Sequence, residues 1–138
     1  MKTKLFGLFF LVTTVLLTGC HKKDDDSNET ASLNGTWHMI NVMGGFIGVD
    51  IDYERNIVVW TFNETTQTLT VQNSLDPGDP NYSFSGLPTG NYAFAIMDVD
   101  GTAVLQIEGA DQGVYSVSAT TLTVDDRPAD GYLHTFEK

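Results

Sequence analysis

The chain has 138 residues, 41% of them hydrophobic, with a formal net charge of −11. That length suits one domain. So acidic a surface repels phosphates, which argues against nucleic acid as a partner, and it disfavours lying flat on anionic lipid.

Lys2 and Lys4 give residues 1–19 a basic start, and Leu5 to Leu17 follow as thirteen mostly apolar residues. A transmembrane helix needs about 20 apolar residues, so this run is short for one. A basic start, a short apolar middle and small residues before a cut site describe a secretory signal peptide. Leu17-Thr18-Gly19-Cys20 resembles the lipobox of bacterial lipoproteins, with Cys20 the only cysteine of the chain. The resemblance implies cleavage before Cys20 and attachment of a diacylglyceryl group to its sulfur. Palmitate-type acyl chains would then tether the protein to a membrane, each buried CH₂ contributing about 0.8 kcal/mol. An ordinary signal peptide with a chance cysteine, or an uncleaved anchor, are the plainer alternatives. With Cys20 acylated no disulfide can form, so the core must hold the fold unaided. Loss of Lys2 and Lys4 leaves five Lys and Arg against eighteen Asp and Glu, about −13 before any terminal charge.

Residues 20–32 hold the cysteine and a polar tract whose only apolar side chain after it is the methyl of Ala31. Such a segment cannot bury enough surface to offset its ordering entropy, so a disordered linker is expected. Asp24, Asp25 and Asp26 resemble the acidic export signal that sends some Gram-negative lipoproteins to the outer face of the outer membrane. The resemblance implies surface display. A plain solvated spacer, with the domain on the periplasmic face, is the alternative.

From Leu33 to Lys138 the dominant period is two. Alternation runs through Trp37–Val42, Val58–Phe62, Thr68–Gln72, Tyr92–Asp98, Ala103–Glu108, Val114–Ser118, Thr121–Asp125 and Tyr132–Glu137, with Val49, Ile51 and Tyr53 adding a further candidate. Alternating runs rich in Val, Ile, Thr and aromatics predict half-buried strands. Asp100-Gly101 predicts a tight hairpin because both positions tolerate positive φ. Asn63–Gln67 and Ser118–Thr120 read as further short links, and Asp76–Asn81 with its two prolines reads as a loop. The fold class is therefore all-β, a small antiparallel up-and-down β-barrel of about eight strands over residues 33–138.

Gly35-Thr36-Trp37 opens the first strand. Gly-x-Trp at that place resembles the opening motif of the lipocalins and their calycin relatives, in which the tryptophan packs across the closed end of the barrel. Trp60–Glu64 and the last three strand segments are similar to small bacterial lipocalin-like lipoproteins. The domain is shorter than most lipocalins and shows no C-terminal helix. The family's basic residue over the tryptophan has no assigned counterpart, since Arg55 and Arg127 fall near predicted loops.

An eight-stranded barrel is either filled by side chains or holds one small ligand. The expected inward set is rich in large residues, among them Met39 or Ile40, Trp60, Phe62, Tyr92, Phe94, Ile96, Tyr132 and Phe136. This favours a mostly filled interior with a shallow pocket at one mouth. Phe46 and Ile47, between glycines, are expected either to edge that mouth as a lid or to belong to an ordinary loop with Phe46 tucked into the core. No catalytic constellation stands out. His38 and His134 read as isolated strand residues, and His21 lies in the linker. No zinc spacing is present, and Asp98-Val99-Asp100-Gly101 lacks the rest of a calcium loop. The expectation is a non-enzymatic, cofactor-free and metal-free monomer. Its partner is either a small apolar or amphipathic ligand or, from a filled barrel, a surface protein or glycan.

Overall fold

The structure, a computed structural model, describes residues 31–138. Nine strands form in chain order, β1 (Gly35–Gly44), β2 (Val49–Asp52), β3 (Val58–Asn63), β4 (Thr68–Asn73), β5 (Gly90–Val99), β6 (Thr102–Ile107), β7 (Ala110–Val117), β8 (Thr121–Asp125) and β9 (Tyr132–Glu137). All pairings are antiparallel, and the meander closes where β1 meets β9. β2 and β3 share one edge of β1. Gly35–His38 pair with β3 and Asn41–Gly44 with β2, so the two act as one interrupted stave. The result is a closed barrel of eight staves, as the alternating runs predict.

A β-bulge changes which side chains of β1 face inward. Opposite β9, Met39 faces Phe136 and Asn41 faces Thr135, leaving Ile40 as the extra residue. An extra residue reverses the alternation beyond it. Val42 is therefore fully buried and Asn41 lies outside, where its amide donates to Asp50 and Asp52 at 2.9 Å each. The simple alternation that puts Asn41 on the face of Trp37 and Met39 is corrected at this point.

Inward positions fill the barrel. Trp37, Met39, Val58, Trp60, Phe62, Leu69, Val71, Leu105, Ile107, Leu122, Val124 and Phe136 are all essentially inaccessible. An aromatic chain crosses the middle: Phe94 meets Phe62 edge-on at 5.1 Å, Phe62 meets Trp60 at 6.0 Å, and Trp60 leans on Phe136 at 4.8 Å. Edge-on and tilted arrangements of this kind suit the ring quadrupoles. Ile96 departs from the expected inward set. β5 runs six residues past Ala93, its last partner on β4, and Ile96 on that overhang is 38% exposed.

Trp37 seals the end near the start of β1. Its indole N–H donates to the Leu33 carbonyl at 2.7 Å, and the Lys138 ammonium sits 4.8 Å above the ring. Neither Arg55 nor Arg127 but Lys138 is the basic residue on this ring. At the opposite end the residues 74–89 connection stoppers the barrel. Leu75, Phe84 and Leu87 pack against the core, Ser85 is fully buried, and Phe84 meets Tyr132 edge-on at 5.6 Å. Asn73 holds this connection by donating to Ser85 at 2.7 Å, and Tyr53 by donating to the Asn81 carbonyl at 3.0 Å.

Candidate functional site

The interior offers two buried polar atoms and little room. Among the described residues Trp60 Nε1 and His134 Nε2 are both buried without a hydrogen-bond partner. Both side chains approach Gly86, where a Cβ would lie 3.4 Å from Trp60 Cζ2 and 4.0 Å from His134 Nε2. Burial lowers the His134 pKa, while the nearby Phe84 backbone and the charge of Asp126 oppose that shift. The shift favours the neutral imidazole. His38, on the outer face, also has a lowered pKa, first from burial and then from the Arg55 charge. The two histidines sit on different faces, so they do not form a pair.

Phe46 and Ile47 occupy the tip of the β1–β2 hairpin, beside the β8–β9 loop through the Gly45 N–H bond to the Gly131 carbonyl. Phe46 is 97% exposed and Ile47 77%. Neither closes the mouth nor enters the core, because the residues 74–89 connection already fills that end. Gly35 and Trp37 sit at the opposite end under Lys138. Cys20, the cleavage motif Leu17-Thr18-Gly19, and Asp24, Asp25 and Asp26 lie outside the described residues.

A cleft that sequence reasoning missed lies on the outer wall. It holds about 290 Å³ and is lined by Val104 of β6, Asp111, Gly113 and Val114 of β7, Asp125 and Asp126 at the end of β8, and Pro128 and Ala129 of a one-turn 3-10 helix. Two local features shape it. β7 carries a bulge, with Gly113 opposite Leu105 and Asp111 opposite Gln106, so Gln112 is extra. Gly113 has φ +122°, and a Cβ there would lie 2.5 Å from the Asp125 carbonyl oxygen. Only glycine lets β7 press this closely on β8. Met97, Val104 and Val114 stand in register across three strands. By parity with Leu105 and Phe94 they face outward, and Met97 is 43% and Val114 39% exposed. The signal was present in the sequence as adjacent apolar pairs, Ile96-Met97, Val104-Leu105 and Val114-Tyr115, where half-buried strands would alternate.

Charge at the cleft is uneven. Arg127 donates to Asp125 through Nε at 2.9 Å and Nη2 at 2.7 Å, and this hydrogen bonding holds the Asp125 carboxyl below the usual carboxylate range. Asp111 accepts, among the described residues, only from the neutral Gln106 amide, at 2.7 Å. Among the described residues neither Asp111 nor Asp126 has an ion-pair partner.

The chain is 31% identical over 101 residues to the type 3 secretion system pilotin of Shigella flexneri. The match covers 72% of this chain and 61% of that protein, so the chain spans about three fifths of the relative's length. No family model matches the chain, and no solved structure matches it.

Proposed function

We propose that this chain is a membrane-anchored lipoprotein whose lipocalin-like barrel is filled and works by receiving a protein partner on its outer surface. The observation that carries the reading is the occupied interior. The Phe94–Phe62–Trp60–Phe136 chain crosses the barrel, and Phe84 and Leu87 stopper one end. A carrier of small apolar molecules needs room there instead. Similarity to a pilotin, named as a component of a secretion system, supports a protein partner over a free small ligand. In this reading Cys20 carries the lipid, Asp24–Asp26 direct the protein to the outer membrane, and no residue is catalytic.

Two measurements test it. Cys20→Ala in the full chain shifts the protein from the membrane fraction to the soluble one, and continued membrane association refutes the anchor. Native mass spectrometry of the lipoprotein extracted in detergent from its source is expected to show no apolar small molecule bound. A stoichiometric retained ligand restores the carrier function and removes the protein-partner reading.

A further inference from the structure

We propose that the outer-wall cleft between β6, β7 and the β8–β9 loop is where the partner docks, and that its occupant is a basic segment of that protein bearing apolar side chains. The proposal rests on the protein-partner reading and adds the place and chemistry of contact. Outward positions of β4 and β8 are Thr68, Thr70, Gln72, Thr121 and Thr123, the polar residues expected of a wetted wall. Met97, Val104 and Val114 break that pattern on adjacent strands and in register. Single exposed apolar residues are ordinary, whereas a contiguous group beside a concavity marks a contact surface. Pro128 and Ala129 give the cleft an apolar second wall, so a partner's aliphatic side chain would meet carbon on both sides.

The rim selects the charge of the occupant. Arg127 neutralises Asp125, while among the described residues Asp111 and Asp126, which also line the cleft, have no ion-pair partner. Asp98 and Asp100 extend the same sign toward the β5–β6 tip beyond Met97. Across residues 31–138 only Arg55, Arg127 and Lys138 are basic, against fourteen acids. Complementary potentials favour Lys or Arg flanking the apolar contact. Like-charge repulsion disfavours a second copy of this chain, and an anionic lipid surface is disfavoured by the same sign.

The test is photo-crosslinking in the source cells. A photoreactive residue is placed, one at a time, at Val114, at Phe46 on the hairpin tip and at Thr70 on the far wall of the full lipoprotein. The expected result is a protein adduct at Val114, absent at Thr70, whose crosslinked peptide is rich in Lys or Arg. Adding Asp111→Asn and Asp126→Asn should lower its yield about fivefold, the effect of losing two exposed charge contacts. An adduct at Phe46 or Thr70 but not Val114 overturns the cleft and leaves the protein-partner reading standing. No protein adduct at any site overturns both. A crosslink to lipid, to this chain itself or to an acidic peptide, or a yield indifferent to the two Asn substitutions, overturns the cleft assignment.

Discussion

Phe136→Ala tests whether the barrel is filled by packing rather than by a ligand. Phe136 is fully buried, faces Met39 on β1 and Leu122 on β8, and lies 4.8 Å from the Trp60 ring. It belongs to the pair of strands that closes the ring, so the walls around it cannot collapse independently. An aromatic side chain buries at least about 150 Å². At about 25 cal/mol per Å² its removal costs roughly 4 kcal/mol, within the range of about 3–5 kcal/mol seen for Phe-to-Ala changes in cores. Small domains have about 5–15 kcal/mol in total, so a large share of the stability would be lost. Urea unfolding of the full chain in detergent, followed by tryptophan fluorescence, reads the change, because Trp60 lies against the deleted ring. A loss below about 1 kcal/mol would mean that the interior is loosely packed, since deletion into a filled core carries a cavity cost as well as a transfer cost. The filled-barrel reading would then fail.

Stability should fall as pH drops below about 6.5, the ordinary histidine value. His134 and His38 both have folded-state pKa values lowered by burial, so the unfolded chain takes up these protons first. Stability is therefore complete above the unfolded pKa and is lost toward the folded one, with a slope of at most about 1.4 kcal/mol per pH unit for each histidine. Urea midpoints between pH 8 and 5 measure this, and His134→Gln should flatten the curve. An unchanged slope would show that the imidazole takes up its proton as readily in the folded barrel as in the unfolded chain. Gly113→Ala should destabilise by about 1–3 kcal/mol from backbone strain alone, because φ is +122° there. The added clash with the Asp125 carbonyl lies in the rigid ladder, so the β7–β8 contact has to open. Hydrogen exchange of Val114–Val117 reports that opening, and unaltered protection would refute it.

Most strands were legible because one face of each is wet and the other dry, which writes period two into the sequence. Asp100 and Gly101 both have positive φ, as the hairpin signal requires. The information lost was of two physical kinds. Bulges at Ile40 and Gln112 insert a residue without changing composition, so Val42 reads as outward until the pairing with His134 is known. Contacts between chain ends leave no local pattern either. Nothing near Trp37 announces that Lys138, a hundred residues later, will lie on its ring. For Phe46 and Ile47, apolarity alone implies burial or a lid, yet the structure puts them in solvent. The outer cleft was half visible. Its apolar wall shows in paired hydrophobic residues, but Pro128 and Ala129 reach it only through the fold of the β8–β9 loop.

Closure of β1 on β9 also sets an order of events. The first strand made is held by the last, over seven residues of β1 from His38 to Gly44. A chain that emerges amino end first cannot complete the ring until Glu137 is free, and the Lys138 cap comes later still. Such long sequence separations slow folding. Until the final strand arrives, β1 carries one unpaired edge and Phe136 is missing from the core. In the proposed lipoprotein reading this delay is useful, since a chain whose ring is still open can pass through a narrow channel and take its shape on the far side.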